Sequence, residues 1–282
     1  MAAQHDTIFF PLNYSELFSV WEKNPDAVLF AGGTGLIREQ WGGRIDLPPA
    51  ILSLEQMEEM RRISRSERYL EIGAMVSLSR IIALGKIVPK ALRRCLVNIA
   101  GPQIRNMATL GGNICFPHRR LDCSAALTAL DAQYELRTAQ TSRWIAASRF
   151  SINPAESSEL GIPALNQCEL LTRIRIPLEQ WDYSAYKKFA GTPNQGKAVV
   201  FLAKIQKNIL SDIRVIYKSH LILRNRNSES VLIGKRLPVS HKIADEFIER
   251  WESFLSEIHN IDELAIQEPL NYIAMNAYNL SD

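Results

Sequence analysis

The stretch Ile104-Arg-Asn-Met-Ala-Thr-Leu-Gly-Gly-Asn-Ile114 decides how this chain is read. At its centre Thr109-Leu110-Gly111-Gly112-Asn113 forms a glycine-paired loop. Glycine tolerates positive φ and lets a backbone approach a ligand with no Cβ in the way. Successive N–H groups in such a turn converge into a concavity that suits phosphate oxygens. One Gly-Gly loop is usually an ordinary turn. Here a second, Ala31-Gly32-Gly33-Thr34-Gly35, follows the apolar residues 27–30 and also carries a threonine hydroxyl. Two such loops predict a pyrophosphate gripped from two sides, as in a dinucleotide such as FAD.

Working outward, the 282 residues suit two or three modest domains with a real core. A 46% hydrophobic, 22% charged composition is that of a globular protein and argues against disorder. A net charge of +3 is too mild to predict nucleic-acid binding. Cys95, Cys115, Cys123 and Cys168 include no CxxC pair, so neither a zinc ribbon nor an iron–sulfur cluster is encoded. Their scatter fits reduced thiols and predicts a cytoplasmic location. The opening Met1-Ala-Ala-Gln-His-Asp6 does not read as a signal peptide, and no apolar run is long enough for a membrane span.

The pattern along the chain predicts an α+β fold. Residues 7–10 read as a strand. Asn13 caps a helix to about Lys23 with Glu16 as its capping-box partner, and residues 27–30 read as a strand entering the first glycine loop. No regular helix pattern follows that loop, because Trp41-Gly42-Gly43 interrupts it, so this is not the Rossmann fingerprint. Residues 51–54 and 69–72 read as strands, with Ser77 or Ser79 capping a short helix after the second. A helix is expected over 89–100, another over 121–130, and a strand over 134–137. From Cys168 successive strands (170–176, 198–205, 213–217, 220–223) precede an amphipathic helix starting at Ser240. Its Ile243, Phe247, Ile248, Trp251, Phe254, Leu255 and Ile258 fall at 3–4 spacing and read as core. The expected division is an N-terminal subdomain over 1–56, a middle subdomain over 57–166, and a C-terminal domain of antiparallel sheet plus helices over 167–282.

At these residues the chain resembles a known family. Ala31-Gly-Gly-Thr-Gly-Leu36 is similar to the AGGTDL loop of the FAD-binding (medium) subunits of molybdenum hydroxylases, the carbon monoxide dehydrogenase and xanthine dehydrogenase group. In family order, Glu71-Ile-Gly-Ala-Met-Val-Ser-Leu-Ser79 resembles its IGA-x-x-T/S-L-S stretch, and residues 104–114 its R-N-x-A-T-x-G-G-N-I signature. Leu130-Asp-Ala-Gln-Tyr-Glu-Leu136 and Tyr186-Lys-Lys-Phe189 resemble the LDA-x-x-x-L and Y-x-K-F segments. The resemblance spans about residues 7 to 205, and the match over 104–114 is its most specific part.

The resemblance implies a two-part PCMH-type fold clasping FAD, followed by a C-terminal α+β domain. It implies a flavin subunit that accepts electrons singly from [2Fe–2S] clusters on one partner and passes them to NAD or another soluble acceptor. A third, large subunit would carry the molybdenum cofactor and the substrate chemistry. Carried over residue by residue, Ala31, Gly32, Gly33, Thr34, Gly35 and Leu36 form one cofactor-binding loop. Ile104, Thr109, Leu110, Gly111, Gly112 and Asn113 form the other, with backbone N–H groups of 32–35 and 110–112 on the pyrophosphate. Asp122 stands where the family's S-P-x-x-D element places its aspartate, Lys188 matches the family's lysine, and Tyr186 is a candidate aromatic neighbour of the ring. Each of these three also has a reading as a packing or surface residue. No catalytic or metal-ligating residue is expected in this chain.

The chain also departs from the pattern. The family's aspartate after AGGT is Gly35. Its A-S-P tripeptide is replaced by Phe116-Pro117-His118-Arg119-Arg120, whose basic residues neutralise phosphate or flavin charge, contact an acidic electron acceptor, or form a solvated loop. Thr192-Pro193-Asn194 stands where an arginine is usual. A degenerate scaffold holding flavin weakly or not at all is therefore the alternative. A P-loop enzyme is disfavoured because no G-K-[ST] follows either loop, and a serine hydrolase because there is no G-x-S-x-G.

Overall fold

The computed structural model describes residues 7–38, 47–116, 122–150, 165, 168–190, 196–219, 221–258 and 263–280. Along the chain run β1 (Thr7–Phe9), α1 (Tyr14–Lys23), β2 (Val28–Phe30), α2 (Thr34–Arg38), β3 (Ala50–Ser53), β4 (Ile63–Arg65), β5 (Tyr69–Gly73), α3 (Leu78–Ala83), α4 (Lys90–Val97), α5 (Pro102–Met107), α6 (Leu110–Ile114) and α7 (Asp122–Ala129). There follow β6 (Gln133–Arg137), β7 (Ser142–Ala146), β8 (Leu170–Pro177), β9 (Tyr183–Phe189), β10 (Lys197–Gln206), β11 (Ile209–Lys218), β12 (Ile222–Arg224), α8 (Arg226–Leu232), α9 (His241–Ser256) and α10 (Glu263–Tyr278). These elements form two compact units. The described residues of the first fall within 1–88, 99–118 and 131–178, and those of the second within 89–98, 119–130 and 179–282.

The first unit holds two sheets. β1, β3 and β2 form a small parallel sheet, with β3 in the middle because Ile51 and Leu52 are buried on it. α1 starts where Asn13 Oδ1 accepts from Glu16 N–H at 3.0 Å, and the Glu16 carboxylate accepts from Leu12 N–H. The expected capping box is thus present with its return bond one residue early. Leu17, Phe18 and Trp21 bury the apolar stripe of this helix. The second sheet is antiparallel, in the order β4-β5-β8-β6-β7. Alternation sets its two faces: Leu70, Ile72, Tyr134, Leu136, Ile174 and Ile176 are buried, while Glu71, Glu135, Arg173 and Arg175 share the other side. The sequence reading puts β8 at the head of the C-terminal domain. It lies instead between β5 and β6.

The second unit is built on the antiparallel sheet β12-β11-β10-β9. Residues 198–203 of β10 are all fully buried, which a strand achieves only when both faces are covered. Val199, Phe201 and Ala203 pack into one core with Phe247, Trp251 and Leu255 of α9 and Ile273 of α10. α7 also packs on β10 and β11, and α4 packs on α7 and β9. α4 and α7 lie far upstream in sequence yet belong to this unit.

Candidate functional site

Both glycine loops lie in the first unit and touch each other. A Cβ on Gly32 would stand 1.9 Å from the Met107 carbonyl oxygen, at the end of α5, so only glycine lets the two backbones meet there. Gly33 turns the chain with φ +68°. A Cβ on Gly112 would lie 3.9 Å from the Ala31 Cβ, and Gly112 itself is exposed. A Cβ on Gly35 would meet the Phe116 ring at 2.4 Å. Two segments far apart in sequence therefore form one surface.

Each loop ends in a short helix, against the expectation that no regular helix follows the first. α2 begins at Thr34, and Ile37 N–H is the first in the loop to donate back within it, to Gly33 O at 3.1 Å. The first N–H groups of a helix have no intrahelical acceptor, and in α2 these belong to Thr34, Gly35 and Leu36.

The second loop is built differently. Thr109 is the N-cap of α6, its hydroxyl oxygen accepting from Gly112 N–H at 3.1 Å. Leu110 N–H donates to Val76 O and Gly111 N–H to Ala74 O. The three N–H groups expected to hold pyrophosphate from this side are thus all engaged within the protein. Gly111 is glycine for a packing reason, since its Cβ would lie 2.7 Å from the Ala74 Cβ. Thr109 and Asn113 are buried, and Ile104 is exposed on α5. This loop is a buttress that positions the first loop and presents Gly112 beside it. Where the two loops meet, glycine at 32, 33 and 112 keeps the backbone bare, a cradle that a Cβ would fill.

The other three predicted residues gather in the second unit. Asp122, at the start of α7, is buried; Lys188 Nζ on β9 donates to its Oδ2 at 2.5 Å. Lys218 on β11 approaches the same carboxylate, 3.4 Å from Oδ1, and also donates to Gly196 O. Burial pushes the Lys218 ammonium below its ordinary pKa, against the pull of Asp122. The sequence carried no sign of Lys218, which sits at the end of an apolar strand. Tyr186 is buried close by, and burial raises its hydroxyl far above the usual tyrosine range. Hydrogen bonding to Cys95, with burial, holds the Cys123 thiol well above its ordinary value, so it is inert. Asp122 and Lys188 thus form an ion pair packed near the buried Tyr186, and a cofactor role for the three rests on the sequence resemblance alone. His118-Arg119-Arg120 and Thr192-Pro193-Asn194 lie outside the described residues.

Residues 4–179 match the family described as FAD binding domain in molybdopterin dehydrogenase. The chain belongs to this family. The match covers the parallel sheet, both glycine loops and the five-stranded sheet through β8. FAD is accordingly the cofactor of this molybdopterin dehydrogenase subunit, and the subunit is an oxidoreductase component. The nicotine 6-hydroxylase medium subunit of Paenarthrobacter nicotinovorans is 26% identical over 261 residues, covering 90% of this chain and 89% of its own. Indole-3-acetaldehyde oxidase of Zea mays is 28% identical over 256 residues, and there the matched region is only 18% of the longer protein. Among solved structures, that of quinoline 2-oxidoreductase from Pseudomonas putida 86 shares the fold, with TM-score 0.79 at 20% identity over 98% of this chain and 96% of that one. Among the described residues, no helix is long and apolar enough to cross a membrane.

Proposed function

We propose that this chain is the flavin-carrying electron-transfer subunit of a molybdenum hydroxylase-type dehydrogenase. It receives electrons from [2Fe–2S] clusters on a partner subunit and hands them to a soluble acceptor, NAD or another carrier. A large subunit with the molybdenum cofactor supplies the substrate chemistry, and the assembly works in the cytoplasm. The medium-subunit relative, matched over nine-tenths of this chain, supports that division of labour.

The observation that carries the cofactor side of this reading is the contact between the two glycine loops, Gly32 against the Met107 carbonyl. N–H groups of residues 34–36 hold pyrophosphate oxygens, Gly112 leaves room for them, and α6 with its Thr109 cap keeps the surface rigid. When bound, FAD supplies an acceptor that takes electrons one or two at a time. The protein's own part is to fix the dinucleotide by its phosphates, so that ring position is set by the fold rather than by diffusion.

Purified protein incubated with FAD should retain it through gel filtration and show flavin absorbance near ~450 nm. Folded protein that stays colourless would favour the second reading, a scaffold without flavin. The internal engagement of the 110–112 N–H groups is the observation on that side. Isolation from native cells should bring down an iron–sulfur subunit and a molybdenum subunit. A lone chain that turned over substrate by itself would refute the assembly.

A further inference from the structure

The polar face of the five-stranded sheet is not simply solvated. Tyr14 of α1 and the helical turn Glu58–Arg61 stand over it and enclose a cleft of about 750 Å³. None of residues 31–36 or 109–113 lines this cleft. Its size falls within the range of small-molecule sites.

The charges of the cleft do not cancel. Arg173 holds the buried Glu135 with two hydrogen bonds, at 2.8 and 2.9 Å, and Arg175 holds Glu71 at 2.7 Å. Those pairs are closed. Arg61, Arg62, Arg80 and Arg137 also line the cleft; among the described residues none of them closes an ion pair within hydrogen-bond distance, although the Arg137 charge reaches Glu135. Three of the four are held in place by other means. Arg61 donates to Glu55 O, Arg80 donates to Arg61 O, and the Arg137 guanidinium lies 4.3 Å above the Tyr14 ring. The lining as a whole holds five arginines against four glutamates, and of those glutamates Glu58 and Glu59 are exposed. Burial pushes the Tyr14 hydroxyl up to about 12, so it remains a donor. A smaller hollow of about 320 Å³ adjoins the cleft and shares Glu135, Arg137 and Arg173 with it.

We propose that this cleft binds a phosphate-bearing small molecule of about nucleotide size, at a place distinct from the glycine loops. Guanidinium forks match phosphate and carboxylate oxygens two at a time. With the Arg61 fork held on the Glu55 carbonyl, the N–H groups of Arg62, Arg80 and Arg137 still ask for more acceptor oxygens than a single carboxylate carries, and a phosphate ester or diphosphate supplies them. Positioning of Arg61 and Arg80 through backbone carbonyls means that less side-chain freedom is lost when the ligand arrives. A bound anion here would touch β4, β6 and α1 together, which makes the cleft suited to an effector or a second substrate.

The test is a calorimetric titration of the FAD-incubated full chain with inorganic pyrophosphate, with citrate as the polycarboxylate comparison. One equivalent should bind, more weakly as salt rises. Arg62→Glu should weaken it at least about tenfold, because charge reversal at an exposed, unpartnered position changes the field and not the packing. Arg137→Gln should weaken it as well, while flavin absorbance stays unchanged in both variants. Absence of binding, equal affinity in Arg62→Glu, or tighter binding of citrate than of pyrophosphate would each overturn the proposal. The inference does not rest on the flavin reading. Failure of that reading appears as colourless protein and leaves the comparison with Arg62→Glu intact.

Discussion

Lys188 and Asp122 are ion-paired at 2.5 Å across β9 and α7, and the carboxylate is buried while the ammonium is about one-third exposed. With the buried Lys218 at 3.4 Å on the other oxygen, one carboxylate answers two cations. Removing a partner from such a site leaves uncompensated charge in low dielectric, a larger loss than the pair's own net worth. Asp122→Asn should therefore destabilise the second unit by about 3 kcal/mol in urea unfolding. Lys188→Met should cost under ~1 kcal/mol, because its head reaches solvent and Lys218 still faces the carboxylate. Equal losses for the two variants would mean that Lys188 is the principal partner and Lys218 a bystander.

The two glycines at the loop contact predict losses of different origin. Gly32→Ala puts a Cβ 1.9 Å from the Met107 carbonyl oxygen, where backbone must move. It should separate the loops and abolish FAD retention while far-ultraviolet circular dichroism keeps its native form. Gly112→Ala meets the Thr109 hydroxyl at 2.9 Å and the Ala31 Cβ at an ordinary 3.9 Å, and Gly112 has no positive φ to strain. Its fold should persist with a thermal midpoint close to wild type. Its FAD affinity should nevertheless fall, because the methyl occupies the face left for phosphate. Wild-type affinity in Gly112→Ala would remove that loop from the cofactor surface.

Much of this was legible in the residues, for identifiable reasons. The helix at Ser240 is amphipathic over four turns, and Phe247, Trp251 and Leu255 are buried as their spacing requires. The loops were legible because two glycine pairs beside threonine recur in one chain, and one of them lies in the long 104–114 match. What the sequence hid was non-local. Nothing near Asp122 or Lys90 signals that α7 and α4 pack against strands that come much later in the chain. β8 carries charges at alternate positions that make sense only once Glu135 and Glu71 lie opposite on neighbouring strands. The N–H groups of 110–112 looked available because their acceptors, Ala74 and Val76, belong to a different segment.

Glu135 gives the first unit an acid limit. Burial alone would raise its pKa, but hydrogen bonds from Arg173 and Thr172 outweigh that and hold the carboxyl below its ordinary value. The unfolded chain then takes up a proton at higher pH than the folded one. The stabilisation is fully present above the unfolded pKa and is lost as pH falls through the lower folded value. Glu135→Gln should flatten this part of the stability–pH curve below about pH 4.5 and cost roughly 1–3 kcal/mol at neutral pH. An acid limb as steep as wild type would place the titrating group elsewhere.

Gly35 and Phe116 explain each other. The resemblance puts an aspartate at 35 and small residues before Asp122, and this chain has glycine at 35 and a phenylalanine at 116. In the folded unit the Phe116 ring, itself buried, fills the space that a side chain at 35 would enter, 2.4 Å from the position of its Cβ. In this chain the two departures are thus complementary in volume, no side chain at 35 and a ring at 116. Gly35→Asp alone should overpack the loop and cost about 1–3 kcal/mol, with loss of FAD retention. Phe116→Ala alone should leave a cavity and cost about 3 kcal/mol. In the double variant the aspartate takes part of the vacated space, so its cost should fall short of the sum by at least ~1 kcal/mol, and flavin retention should return. Strictly additive losses in urea unfolding, with retention still absent, would show that the ring and the loop are independent and that glycine at 35 answers some other constraint.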